Sequence, residues 1–281
     1  MTLRIIGYLF GLGAFLFVCA AIAAGVVLYH YNKDLPDYEV LAKYEPPVMT
    51  RVHAAGGELV AEYARERRLY LPIQAIPDLV KAAFLSAEDK NFYSHTGVDP
   101  EGIARAIYLN IKNRGERLQG ASTITHQVAK NFLLSSERSY DRKIKEALLS
   151  MRIEQAYSKD KILELYLNEI FFGIGAYGVA AASLDYFGKS VNELTLEEAA
   201  YLAALPKAPN NYHPFDDTEA AIERRNWVID QMVGNGYIRQ EDGETAKAKS
   251  LGVTLRRRGN YLFASDYFAE EVRRNLIGLY S

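Results

Sequence analysis

The residues best suited to chemistry are two glutamates in the helix-rich part of the chain. Glu88 ends a segment with helical apolar spacing, and Phe92 and Tyr93 follow it. A carboxylate there could act as a general base whose pKa is raised by desolvation, although a helix cap or a surface charge is the simpler interpretation. Glu146 lies four residues after Arg142. That spacing alone indicates an ordinary exposed ion pair on one helix.

A second group of candidates is polar and shares one helical face. Thr123, Gln127 and Asn131 recur at every fourth position, with Lys130 beside them. A hydroxyl, two amides and an ammonium on one face suit contacts with sugar and phosphate oxygens. The alternative is a polar face that only contacts solvent.

The apolar pattern predicts the helices that must position these residues. Ser122 is the expected N-cap of a helix whose stripe is Ile124, Val128 and Phe132. A second helix is predicted over Arg142 to Ala156.

Further signals extend the helical pattern from Pro77 to the end of the chain. Their expected features are the inward residues Ile144, Leu148 and Met151, a cap at Ser158, a capping box of Thr195 with Glu198, and a late stripe of Ile222, Ile229 and Met232 closed by Gly236. Residues 110–119 are predicted to form a mobile loop. No chemical motif is evident beyond Pro214.

The N-terminal segment predicts a membrane anchor. No residue from Ile5 to Tyr29 is charged, and at about 1.5 Å per residue such a helix crosses a hydrocarbon core of roughly 30 Å. A cleavable signal peptide is the main rival interpretation. Because Arg4 precedes the run, the positive-inside rule places the body outside the cytoplasm.

Composition and the segment after the anchor complete the outline. The 281 residues carry a formal net charge of -2, which does not indicate nucleic-acid binding, and one cysteine excludes an intramolecular disulfide. Two strands, Val48 to Val52 and Glu58 to Tyr63, are predicted to flank a Gly56-Gly57 turn, and Arg68 to Leu71 is a possible third.

Five ordered blocks resemble the signatures of peptidoglycan glycosyltransferases, the glycosyltransferase family 51 domain of bifunctional class A penicillin-binding proteins. The blocks are Glu88 to Asp99, Gly120 to Asn131, Arg142 to Glu146, Lys161 to Asn168 with a Gly173 to Gly178 loop, and Glu198 to Pro209. The resemblance covers about Glu88 to Pro214 and identifies this chain as an N-terminal portion of such a protein.

The resemblance implies a reaction that joins sugars by displacing a lipid pyrophosphate with inversion. Glu88 would be the general base. Glu146 would act near the pyrophosphate, either by orienting basic residues or by holding a divalent cation, Mg or Mn. No organic cofactor is implied. The residues expected to contact substrate are Thr123, Gln127, Lys130, Asn131, Arg142, Lys143 and Lys207.

The sequence departs from the family pattern at two positions. His126 stands where glutamine is usual, and we expect it to support the site from behind. Phe171 stands where tyrosine is common, which puts a hydroxyl contact in doubt. We expect His95 to have a structural hydrogen-bonding role.

The predicted fold is mainly α: a lysozyme-like glycosyltransferase domain preceded by one transmembrane helix and a small β element. The expected divisions are 1–31 for the cytoplasmic tip and transmembrane helix, 32–76 for the connector, 77–215 for the glycosyltransferase domain and 216–281 for a helical tail leading toward a transpeptidase domain. The Ile103 to Ile111 stripe is interpreted either as a membrane-contacting helix or as ordinary core.

The implied partners are lipid II, the growing lipid-linked glycan, the plasma membrane and cell-wall synthesis proteins. The implied location is the bacterial inner membrane, with a single span and the catalytic domain on the periplasmic side. No transpeptidase activity is expected from this chain, which has no Lys-Thr-Gly triplet. The rival functions are a lysozyme-like hydrolase or lytic transglycosylase, and a catalytically silent scaffold.

Overall fold

The computed structural model describes residues 2–33, 35–44, 50–53, 59–63, 67–112, 120–134 and 140–254. These residues are mainly helical, as predicted. The α-helices within them are α1 (Thr2–Lys33), α2 (Asp78–Glu88), α3 (Pro100–Lys112), α4 (Ile124–Leu133), α5 (Tyr140–Ala156), α6 (Lys159–Glu169), α7 (Val179–Phe187), α8 (Leu196–Ala204), α9 (Thr218–Gly234) and α10 (Gln240–Lys247). The 3-10 helices are Glu39–Lys43, Ile73–Ala75, Val191–Glu193 and Leu205–Lys207.

The strands form two small sheets. β1 (Thr50–His53) and β2 (Leu59–Tyr63) are antiparallel, which confirms the predicted hairpin; its Gly56-Gly57 turn lies outside the described residues. β3 (Arg67–Arg68) pairs in parallel with β4 (Ala176–Tyr177). The third strand therefore joins the glycine loop after α6 and not the hairpin.

The core surrounds α2. Val80, Ala83 and Phe84 are fully buried, and α2 packs against α8 and α9 while α4 packs against α5 and α6. Removing these apolar side chains from water is the main stabilising contribution, at about 25 cal/mol per Å². Because Glu88 is the last residue of α2, its carboxylate is held at the end of a helix whose apolar face is buried.

The start of α4 differs from the prediction by one residue. Thr123 is the N-cap: its hydroxyl accepts a hydrogen bond from the His126 amide at 3.2 Å, and the Thr123 amide donates to His126 Nδ1 at 3.3 Å. Ser122 is exposed instead. Ile124 and Val128 are buried, as the stripe predicted. Histidine completes the box where sequence rules expect glutamate or glutamine, so the signal was missed.

The predicted inward face of α5 is wrong at Met151, whereas Ile144 and Leu148 are partly buried. Met151 is exposed, whereas Glu146, Leu149 and Ile153 are buried at helical spacing. The inward face carries a charged residue because it borders the site described below. Hydrophobic periodicity cannot identify such a face.

α1 and α3 bear on the membrane predictions. α1 covers the uncharged segment. Within the ranges that the structure describes, no helix combines the length and the apolar character needed to cross a bilayer.

α3 continues through Lys112, so the first residues of the predicted mobile loop are helical; 113–119 lie outside the described residues. Ile107 and Ile111 are 56% and 74% exposed, so the interpretation of this stripe as ordinary core is wrong.

The helices after residue 215 pack into the same core. Val228, Ile229 and Met232 of α9 are fully buried, as is Arg225. The Arg225 guanidinium donates to the backbone carbonyls of residues 247, 249 and 250 and so fastens the segment after α10 to α9. The core thus continues across the boundary predicted at residue 215.

Candidate active site

Glu88 is a partly buried carboxylate held by α4. Gln127 Nε2 donates to Glu88 Oε2 at 2.7 Å. Burial raises the Glu88 pKa, and the hydrogen bond from Gln127 only partly opposes that effect. A raised pKa brings a carboxyl group toward the range in which a general base works at neutral pH.

The turn after Glu88 is fixed by its neighbour Asp89. Both Asp89 oxygens contact His95 Nε2, at 3.1 and 3.0 Å, and Oδ2 also accepts from the Ile124 amide at 3.0 Å. His95 Nδ1 in turn accepts from the Gly97 amide at 3.1 Å. This confirms the structural role expected of His95. The network joins the end of α2 to the start of α4 and so sets Glu88 opposite Gln127.

Gly97 permits that turn to reach α5. Its φ is +97°, and a Cβ there would lie 2.7 Å from the Ser150 carbonyl carbon. Any side chain would therefore push the turn away from α5.

Three cations surround Glu88, in order of decreasing influence on its pKa: Arg224, Lys207 and Lys130. All three favour the ionised carboxylate and limit the rise in its pKa. Lys130 is itself partly buried, which lowers its pKa; Glu146 and, more weakly, Glu88 act in the opposite direction. The charges of both predicted catalytic carboxylates therefore act on the Lys130 ammonium, which lies near Glu88 and near Glu146.

Glu146 is buried and charge-paired. It is 1% exposed, with Arg142 Nε 3.0 Å from Oε1 and Lys143 Nζ 2.5 Å from Oε2. The interpretation of Arg142 and Glu146 as an ordinary exposed ion pair is therefore wrong, because the Glu146 carboxylate is buried. Lys143 is 55% exposed and extends toward Ser122 Oγ at 3.4 Å. One buried anion holds two cations at fixed positions, which suits recognition of phosphate oxygens.

The divalent-cation prediction finds little support in this geometry. No group of three His, Cys, Asp or Glu side chains capable of holding a metal occurs among the residues in the described ranges. Each Glu146 oxygen already faces a cation, and a Mg²⁺ ion prefers several oxygen ligands. The residues present fit an anion better than a metal.

The other predicted contacts separate into two groups. Asn131 is exposed on the same helix as Gln127, and Lys207 is exposed after α8. Thr123 is 2% exposed, and its hydroxyl donates to the Gly97 carbonyl at 2.7 Å. Its hydroxyl is thus engaged within the protein. His126 is buried, which lowers its pKa to about 4 although Glu146 opposes the shift, and its ring completes the cap of α4.

Arg224 is the site residue that sequence reasoning missed. It belongs to α9, in the segment where no motif was found, and its guanidinium carbon lies 3.8 Å from the Trp227 ring centroid. Burial lowers its pKa, while the charge of Glu88 acts against that shift. Its buried Nε has no hydrogen-bond acceptor among the described residues. Only the arginine and tryptophan three positions apart were visible in the sequence, and that spacing does not reveal what α9 packs against.

The Ser-x-x-Lys spacing, which carries the serine nucleophile in penicillin-binding transpeptidase domains, occurs at Ser158 and Lys161, and the structure gives both residues other roles. Ser158 caps α6 by accepting from the Lys161 amide at 3.3 Å, which confirms the predicted cap. Lys161 Nζ pairs with Glu164 at 2.6 Å. Neither residue is arranged as a nucleophile with its base.

Residues 56–233 match the family model described as Transglycosylase. The chain is 49% identical over 278 residues to penicillin-binding protein 1A of Rickettsia bellii, covering 98% of this chain and 34% of that protein. It is 42% identical over 265 residues to penicillin-binding protein 1A of Escherichia coli, covering 93% of this chain and 31% of that protein. The chain thus spans about a third of the length of these curated relatives.

A structural relative agrees with these matches. The crystal structure of penicillin-binding protein 1A from Haemophilus influenzae superposes with a TM-score of 0.50 at 27% identity, covering 84% of this chain and 25% of that one.

Proposed function

Since this chain belongs to the transglycosylase family, we propose that it is a peptidoglycan glycosyltransferase that polymerises lipid II. The observation that carries the proposal is the pairing of a carboxylate of raised pKa, Glu88, with the cations Lys130, Lys207 and Arg224. A base next to several cations suits a reaction in which a hydroxyl attacks and a phosphate leaves.

In the proposed step, Glu88 takes the proton from a sugar hydroxyl of lipid II, the acceptor. The hydroxyl oxygen forms a bond to the anomeric carbon of the growing lipid-linked strand, the donor, with inversion. The bond from that carbon to the pyrophosphate oxygen breaks, and the lipid pyrophosphate departs with the electron pair. Gln127 holds the Glu88 carboxylate at 2.7 Å, so little reorganisation is needed before proton transfer.

The leaving group would be bound by the cations around Glu146. This carboxylate orients Arg142 and Lys143, and Lys130 is influenced by Glu146 as well as by Glu88. We assign Glu146 the orienting role among the two that the sequence left open. Pyrophosphate gains negative charge as the bond breaks, so these interactions strengthen in the transition state.

A lipid-tailed substrate requires a site close to a bilayer, and α3 supplies a suitable surface. Ile103, Ile107, Tyr108 and Ile111 are exposed on this helix, and Lys112 lies at its end. Apolar residues edged by a cation fit a membrane interface. We propose that the domain works at the outer face of the bacterial inner membrane with the N-terminal segment as its anchor, and that it cooperates there with cell-wall synthesis proteins.

A lysozyme-like hydrolase is the alternative on a related architecture. Such an enzyme needs a proton-donating acid and no pyrophosphate site. The arrangement of Arg142 and Lys143 about Glu146 and of Arg224 near Glu88 favours the transferase.

The test is incubation of the purified chain with lipid II, followed by separation of the glycan products by length. We expect polymer from the wild-type chain and far slower polymer formation by Glu88→Gln. Release of disaccharide or anhydro-sugar products from preformed glycan would instead identify a lytic enzyme.

A further inference from the structure

Tyr166 of α6 is a buried tyrosine with an unpaired hydroxyl. The residue is 1% exposed, and its hydroxyl has no hydrogen-bond partner within the described part of the chain. Two comparable tyrosines are paired: Tyr186 donates to the Phe172 carbonyl at 2.7 Å and Tyr201 to the Tyr212 carbonyl at 2.8 Å. A buried unpaired hydroxyl is costly, so native proteins normally satisfy it through a neighbouring group or an internal water.

The Tyr166 ring lies against the face of α2 that carries Glu88. It packs edge-on to Phe84, with ring centroids 6.3 Å apart and planes at 73°. Phe84 and Glu88 are one helical turn apart and share that face. Burial raises the Tyr166 pKa well above its ordinary value, and the charges of Glu88 and Asp89 raise it further. The phenol therefore stays protonated. Donating a hydrogen bond through its O–H group would satisfy the buried hydroxyl.

Of the two nearby carboxylates, Glu88 has the greater capacity to accept. Asp89 already contacts His95 through both oxygens and accepts from the Ile124 amide. Glu88 accepts from Gln127 through Oε2, and an ionised carboxylate has about four acceptor positions.

We propose that Tyr166 is a positioning residue that donates a hydrogen bond to the Glu88 carboxylate through one internal water, and so helps to fix the position of the base. The inference rests on the proposed function, in which Glu88 is the base. It gives the otherwise unpaired hydroxyl a partner and gives Glu88 a second hydrogen bond besides the one from Gln127.

Other charged groups near Glu88 must be held constant in the test. The cations that face it are Lys130 from α4, Lys207 from the segment after α8, and Arg224 from α9. The acidic residues of α8 are paired elsewhere, Glu197 with Lys249 and Glu198 with Lys189. A Tyr166 variant leaves all of these in place.

The experiment compares Tyr166→Phe with Tyr186→Phe through the pH profile of kcat/KM for lipid II polymerisation and through thermal melting. A donor to the carboxylate favours the ionised form, so its loss raises the Glu88 pKa. We expect the acid limb of the Tyr166→Phe profile to move to higher pH by about one unit. Tyr186→Phe should lower the melting temperature, because the Phe172 carbonyl loses its donor, and leave the acid limb in place.

Replacement of Tyr166 by 3,5-difluorotyrosine gives a second, shape-preserving variant. Its more acidic phenol is a stronger donor, so the acid limb should move to lower pH. An unchanged acid limb in both Tyr166 variants, or a Tyr166→Phe protein that melts higher with an unaltered profile, would overturn the proposal.

A measurement without turnover separates this inference from the proposed function. The Glu88 carboxyl carbon can be followed by NMR in glutamate-labelled protein and assigned with Glu88→Gln. A titration midpoint that rises in Tyr166→Phe supports the contact even if wild-type protein makes no polymer. A midpoint that does not move rejects the contact even if polymer forms.

Discussion

At the scale of single residues, Glu88 is the proposed general base, and Glu88→Gln removes proton acceptance while keeping the shape of the side chain and the oxygen that accepts from Gln127. We expect turnover to fall by about 10²–10⁴-fold, with binding of a pyrophosphate-mimicking inhibitor preserved. Initial polymerisation rates and inhibitor titration measure the two effects. Near-wild-type turnover by a folded variant would reject Glu88 as the base.

The same substitution should affect stability in the opposite direction. The folded-state pKa of Glu88 is raised by burial, so the folded protein binds its proton more tightly than the unfolded chain does. Stability due to this group is present at low pH and is lost as pH rises through the folded pKa. Glu88→Gln should therefore melt at the same or a higher temperature than wild type at neutral pH, which also serves as the folding control.

Glu146→Gln tests the other carboxylate and should give a different defect. Without the charge, Arg142 and Lys143 lose the anion that holds them. We expect weaker binding of the pyrophosphate mimic together with a lower rate, and a non-additive combination with Lys207→Gln because both act on the leaving group. Unchanged inhibitor affinity would contradict the orienting role.

Arg224 is the largest cationic influence on Glu88, and Arg224→Gln removes it. The Glu88 pKa should rise further, so the acid limb of the activity profile should move toward neutral pH and kcat/KM at pH 7 should fall about tenfold. Arg224→Lys keeps the charge but loses the planar contact with Trp227. Its acid limb and its kcat/KM should lie between those of the wild type and those of Arg224→Gln. A Gln variant with the wild-type acid limb would show that Arg224 does not act on the base.

At the scale of elements, the N-cap of α4 sets the helix that presents Gln127 and Lys130. Thr123→Ala should cost about 1 kcal/mol of stability, whereas Ser122→Ala should cost little because Ser122 is exposed and does not cap the helix. Urea unfolding of the two variants measures the difference, with Thr123→Ser as the variant that keeps a hydroxyl. Equal losses for Ser122→Ala and Thr123→Ala would contradict this assignment of the cap.

At the scale of the whole molecule, α9 belongs to the same hydrophobic core as α2 and α8. Val228, Ile229 and Met232 are each fully buried, and burying one such side chain contributes about 1.5–3 kcal/mol. Together they approach the net stability of a typical domain, about 5–15 kcal/mol. A chain ending after residue 215 should therefore fail to fold, whereas one ending after residue 254 should melt cooperatively. Calorimetry of both decides this, and a cooperative transition in the shorter chain would show that the core closes without α9.

The sequence by itself determined the family, the helical class and most of the candidate site. Glu88, Gln127, Lys130 and Glu146 were identified because ordered blocks of residue types survive in linear form. Local capping signals were equally readable at Ser158 and at Thr195 with Glu198. These features depend on residues that lie within about four positions of one another, so the amino-acid sequence shows them directly.

Only the tertiary structure decided which residues from distant segments meet. It brought Arg224 from α9 to Glu88, buried the Tyr166 hydroxyl where no described residue is a hydrogen-bond partner for it, and buried the Glu146 carboxylate of α5. Each outcome depends on how helices pack across the core, and packing energies are summed over contacts far apart in sequence. Burial, which sets the direction of the Glu88 pKa shift, is a property of that packing and not of any single segment.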